Sequence, residues 1–142
     1  MGPGKSGLAP AVALLVALAA CDNPAGPSVS EGEEFRLAAG EIAAVEGVAL
    51  VVRFDVVASD SRCPADALCV TQGDAEAVFT VTEAGRGAAS VTLHTQPGEA
   101  QRATFGDWTL TLTRLDPYPY SARPIAPRDY RVSLRADRSP GA

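Results

Sequence analysis

From Phe35 to Leu134 the apolar residues recur at every second position. A period of two puts successive side chains on opposite faces of an extended strand. This alternation is the strongest constraint in the chain, because each segment then has one dry face and one wet face. In the run Val48 to Val57, residues Val48, Leu50, Val52, Phe54 and Val56 share a face, and Arg53 and Asp55 fall on the other. Asp74 to Glu83 repeats the pattern, with Ala75, Ala77, Phe79 and Val81 set against Glu76, Val78, Thr80 and Thr82. Shorter alternating segments begin at Phe35 and Leu37 and cover Ile42 to Val45 and Ala89 to Thr95. Others cover Trp108 to Leu115 and Tyr130 to Leu134. Gly40, Ala84-Gly85-Arg86-Gly87 and Gln96-Pro97-Gly98-Glu99 mark turns. About seven or eight short strands separated by such turns predict an all-β fold, an antiparallel β-sandwich or small barrel. The expected core is Leu50, Val52, Phe54, Phe79, Val81, Leu93, Trp108, Leu110, Val132 and Leu134.

The first twenty residues follow different rules. Leu8 to Ala20 is uncharged and apolar, with Lys5 before it, as in a signal peptide. At helical rise it spans only about 20 Å, short of a bilayer's roughly 30 Å core. It ends in Leu18-Ala19-Ala20-Cys21, an apolar residue, two small residues and a cysteine. This tetrapeptide looks like a bacterial lipobox, in which cleavage precedes the cysteine and its thiol carries a diacylglyceryl group. Asp22 to Glu34 is rich in Pro, Gly, Ser and acids and reads as a flexible tether. The expected organisation is therefore a signal peptide over 1–20 and a lipidated cysteine with linker over 21–34. A β domain over 35–136 and a disordered tail over 137–142 follow.

Charge narrows the partners. The full chain carries −5, and removal of Lys5 leaves eleven arginines against seventeen acids, or −6. The arginines are scattered, so nucleic acid, which demands clustered cations, is not an expected partner.

Cys63 and Cys69 stand between the two longest strands. In an exported chain whose Cys21 is lipidated, these two remain as an even pair, and a disulfide is expected. So short a loop gives a chain-entropy contribution of roughly 2 kcal/mol. Its expected role is to shape the connection, with Pro64 restricting Cys63. A redox pair is more often spaced C-x-x-C. Zinc needs two further ligands, whereas the chain has one histidine.

His94, that single histidine, shares strand parity with Ser90 and Thr92, which predicts a solvated outward residue. Asp60, Asp66 and Asp74 lie in and around the cysteine loop and could bind calcium but lack the spacing of a calcium-binding loop, so solubility is the simpler reading. Arg53 and Asp55 are placed to form an exposed ion pair worth under about 1 kcal/mol. Tyr118, Tyr120 and Arg123 lie in a proline-stiffened segment, Asp116 to Arg128, that suits a contact loop. No cofactor motif is present, and no metal site is assigned.

Asp60 to Pro64 reads D-S-R-C-P and is followed by Cys69, Val70 and Gly73, with Pro117-Tyr118-Pro119 late in the chain. In these motifs the chain resembles a group of uncharacterised bacterial lipoproteins with a lipobox and a strand-rich domain. Members often carry a tryptophan soon after the second cysteine, where this chain has Thr71-Gln72. The resemblance implies a cell-envelope address and supports the disulfide; it implies no activity.

Together these features point to a non-catalytic, membrane-anchored envelope module. It would be held to membrane lipid through Cys21, facing the periplasm or the exterior, with an envelope protein or small ligand as partner. An exported hydrolase using His94 with nearby acids, or a loop-based inhibitor of exported proteases, are the alternatives.

Overall fold

The computed structural model describes Gly2, residues 26–97 and residues 101–140. The signal segment, Cys21 and the Gly98-Glu99 half of one expected turn lie outside the described residues.

Alternating side chains build two facing sheets. The first holds β1 (Ser28–Val29), β3 (Ile42–Val45), β4 (Leu50–Asp60), β5 (Ala75–Glu83) and β6 (Gly87–His94), in that spatial order. The second is ordered β2 (Glu34–Ala38), β9 (Arg131–Arg138), β8 (Trp108–Asp116) and β7 (Arg102–Phe105). Every neighbouring pair is antiparallel except β1 and β3. The all-β sandwich is as expected, with nine strands among the described residues rather than seven or eight. The two-residue β1 and the short β7 account for the difference.

The inner faces meet in one core. All ten expected core residues are buried, joined by Phe35, Leu37, Ala43, Val45, Leu112, Leu115, Tyr130 and Ala136 among others. Phe54 and Phe79 pair directly across β4 and β5, with ring centroids 5.4 Å apart.

Three expectations are corrected. Alternation places Val56 inside, yet it is exposed and Val57 packs on the core instead. The register shifts between Phe54 and Val56, where Asp55 is an extra residue, and this bulge inverts the side chains that follow until a further shift between Val57 and Ser59. A third shift, between Leu112 and Arg114 in the β8–β9 pair, brings Leu115 inward by the same rule. The described part of the expected tether also belongs to the fold. Ser28 and Val29 pair with Ala44 and Val45, and the Gly32 N–H donates to the Ala136 carbonyl. At the other terminus β9 continues through Asp137 and Arg138, two residues past the expected boundary. Asp137 pairs with Thr109 and Arg138 with Trp108.

The sandwich has two unlike ends. At one, tight turns join β5 to β6 and β7 to β8, and Gly106 lies against the side chains of Glu83 and Arg86. At the other, two long connections leave the strands: residues 61–74 between β4 and β5, and residues 117–130 between β8 and β9. The second connection contains a 3-10 turn, Pro127–Asp129. This loop end holds the Cys63–Cys69 pair and the candidate contact residues. Among the described residues no helix is long and apolar enough to cross a membrane.

Candidate functional site

The loop end is organised by an ion pair inside the protein. Asp60 ends β4, and Arg62 lies two residues further on. Their side chains are only 10% and 6% exposed. Arg62 Nε and Nη2 donate to Asp60 Oδ1 and Oδ2 at 2.8 and 2.7 Å, the two-pronged geometry that a guanidinium alone provides. The remaining donors cross to the other sheet. Nη1 reaches the Leu115 carbonyl at 2.8 Å, and Nη2 reaches the Pro117 carbonyl at 3.0 Å. From β9's side, the Tyr130 hydroxyl donates to Asp60 Oδ2 at 3.0 Å. One buried cluster therefore ties both connections to both sheets.

Titration follows this wiring. Burial pushes the Asp60 carboxyl upward, but the hydrogen bonds and charge of Arg62, with Tyr130, outweigh it and hold Asp60 below its ordinary value. Burial and the adjacent Asp60 carboxylate push the Tyr130 phenol up to about 12, because ionising it would set a second anion beside the first.

Backbone bonds complete the frame. Ala65 N–H donates to the Pro119 carbonyl, linking the two connections directly. Asp66 Oδ1 accepts from the Ser121 N–H and hydroxyl, and these bonds lower its pKa. Cys63 N–H bonds the Gln72 carbonyl and Ser61 N–H bonds the Asp74 carbonyl, so the loop closes as an extension of the β4–β5 ladder. Cys63 and Cys69 are joined as a disulfide, with Cα atoms 5.9 Å apart. Gly73 has φ +69°, and a Cβ there would run into the Ser61 carbonyl, so this turn requires glycine.

On this braced frame stand the exposed apolar side chains. Five large hydrophobic residues are exposed among the described ones: Val56, Leu68, Val70, Tyr118 and Tyr120. Four of the five sit at the loop end. Leu68 and Val70, at 106% and 104%, contact almost nothing, while Tyr118 and Tyr120 are about half exposed. Arg62 lies over the Tyr118 ring, 5.3 Å from its centroid, which fixes that ring in place. Arg123 is exposed and bridges back to Tyr120 through the backbone. A groove of about 440 Å³ runs between Tyr118, Tyr120, Arg123 and Ile125. Tyr118, Tyr120 and Arg123 thus share one surface. Leu68 and Val70, which the sequence does not single out, add to it because the disulfide loop turns them outward.

His94 differs from its expectation. It faces outward, as parity predicts, but is half-buried and paired through Nδ1 to Asp74 Oδ2 at 2.5 Å. Glu76 lies opposite it in the β5–β6 register. Asp74, Glu76 and His94 each offer one ligand atom within 4.8 Å of the others, a donor set of the kind that holds a divalent ion. The Asp74 carboxylate is engaged further. Its Oδ1 accepts from the Thr95 N–H, the Thr95 hydroxyl and the Gln96 N–H, which caps the turn after β6. Burial raises the Asp74 pKa, but the bonds from His94, Gln96 and Thr95 bring it net below the ordinary value. Asp60, Asp66 and Asp74 do not act as one acidic group, since each is bound to a different partner. Arg53 and Asp55 form the expected ion pair, with Thr80 donating to Asp55.

No family model, no curated protein and no solved structure matches this chain.

Proposed function

We propose that this chain is a membrane-anchored, non-catalytic envelope lipoprotein whose β-sandwich presents its loop end as a contact surface. The observation that carries this reading is the loop end itself. Exposed apolar side chains are usually scattered on a soluble domain. Here four of the five exposed large hydrophobic residues among the described ones gather at one end, on loops braced by a disulfide and a buried ion pair. A preformed surface loses little conformational freedom on contact, which favours binding. The anchor rests on Leu18-Ala19-Ala20-Cys21 after an apolar run, and on the resemblance to bacterial lipoproteins at Asp60 to Pro64 and Cys69. Acyl chains on Cys21 would hold the domain at the surface of an envelope membrane. Fractionation tests this reading. The wild-type chain is expected in the membrane fraction and Cys21→Ala outside it; equal partition of the two would overturn the anchor.

A hydrolase built on His94 is the second reading, favoured by the Asp74 carboxylate at its Nδ1. A histidine base works best with such an orienting acid. Turnover of esters or peptides that is lost in His94→Ala would establish this reading in place of the first.

A further inference from the structure

We propose that the loop end docks on the lipid bilayer itself, with Leu68 and Val70 inserted at the membrane interface and Tyr118 and Tyr120 at headgroup level. This rests on the lipid anchor at Cys21 proposed above.

Traced backward toward Cys21, the described chain heads for that end. β1 runs parallel to β3, with Ser28 beside Ala44 and Val29 beside Val45. Gly26 lies against Ile42, since a Cβ on it would collide with the Ile42 carbonyl. Ile42 in turn pairs with Arg53 of β4. Passing backward from Val29 to Gly26 therefore leads along β4 from the tight-turn end toward Asp60. From the level of Arg53 to Asp60 is about 20 Å at strand rise. Cys21 precedes Gly26 by five residues, and such a stretch reaches at most about 18 Å. Fully extended in the β1 direction, those five residues would span most of that distance, so the anchor can reach the same side of the domain as the disulfide loop.

The two ends differ in the chemistry they offer a membrane. The tight-turn end carries Glu83 paired with Arg86, Glu31 near Arg138, and Asp107. None of the five exposed large hydrophobics is there. The loop end offers two fully exposed aliphatic side chains at the tip and two half-exposed tyrosines behind them. Tyrosine favours the headgroup zone, where its ring is sheltered and its hydroxyl wet. Arg123 is exposed at the same end, with a stem long enough to lie along the interface and a guanidinium group suited to lipid phosphate, while Arg114 there is paired with Asp116. The chain is acidic overall, so attraction to anionic lipid is not the driving force. Insertion of Leu68 and Val70 is, and a single lipid-modified site gains a second hold from it.

Fluorescence quenching tests the orientation. The wild-type chain contains one tryptophan, Trp108, which is buried at the tight-turn end. The lipidated full-length chain and its Leu68→Trp and Arg86→Trp variants are placed on vesicles of phosphatidylethanolamine and phosphatidylglycerol. In matched vesicles the acyl chains are brominated near the headgroups. All three proteins should float with the vesicles. The emission added by Leu68→Trp should shift to the blue and lose most of its intensity to bromine, while Arg86→Trp and Trp108 stay unquenched. If the proteins do not float, the anchor fails and the inference falls with it. If they float but Leu68→Trp and Arg86→Trp are quenched alike or not at all, the anchor stands and the orientation is refuted. A blue shift of Leu68→Trp without quenching would place a protein surface, such as a second copy, over the loop and also refute it.

Discussion

Replacing Arg62 by alanine should remove a large share of this domain's stability. The guanidinium makes two bonds to Asp60 and one each to the Leu115 and Pro117 carbonyls, and it is almost wholly buried. Arg62→Ala leaves the Asp60 carboxylate inside with only the Tyr130 hydroxyl and the Arg62 backbone N–H, the latter at 3.2 Å. It also strips a donor from each of two carbonyls. Removing one partner of a buried ion pair costs about 3–5 kcal/mol, because an uncompensated charge remains. A domain of this size has about 5–15 kcal/mol in all. Arg62→Lys keeps the charge but not the two-pronged contact, and should cost about half as much. Urea unfolding at neutral pH, followed by Trp108 emission with the disulfide intact, reads these losses. The double variant Asp60→Ala/Arg62→Ala should lose less than the sum of the two single variants, by about 1–3 kcal/mol. A loss under about 1 kcal/mol for Arg62→Ala, typical of an exposed pair, would refute the reasoning.

Three further outcomes are expected. Replacing Cys63 and Cys69 together by serine should cost about 1–3 kcal/mol, since only a short loop is closed. Hydrogen exchange should then rise mainly between Ser59 and Gly73 while the β4–β5 ladder stays protected. Gly73→Ala should destabilise by at least about 2 kcal/mol in thermal melts, because its positive φ and the Ser61 carbonyl leave no place for a Cβ. The pH dependence should be two-sided. Asp60 and Asp74 are held below their unfolded value of about 4, so their contribution is present above that pH and is lost as pH falls through their folded values. Tyr130 is raised from about 10 to about 12. Its contribution of about 2–3 kcal/mol is complete below pH 10 and is lost as pH rises through 12. Tyr130→Phe should abolish this alkaline step; its persistence in chemical denaturation series would assign it to another group.

The core was legible because alternation is a local signal. Phe79, Leu93, Trp108 and Val132 are inside for the reason their parity states. Val56 was not legible, because a one-residue bulge at Asp55 leaves no mark in the pattern on either side. β1 escaped notice since two residues among prolines and glycines form a strand only when β3 offers an edge. Tyr118, Tyr120 and Arg123 could be placed on a surface from proline content alone. Leu68 and Val70 could not, because in sequence they resemble core residues, and only the closed cysteine loop turns them outward. Asp60 and Arg62 stand two residues apart in the D-S-R-C-P motif. Their burial, however, depends on the carbonyls of residues 115 and 117, more than fifty positions away. His94 at the end of β6 meets Asp74 just before β5, twenty positions apart, which no local pattern reveals.

The anchor is tested most directly by the intact mass of the protein purified from membranes. The account predicts a chain beginning at Cys21, with a diacylglyceryl group on its thiol and none of residues 1–20. A mature chain with an unmodified Cys21, or one beginning elsewhere, would contradict it.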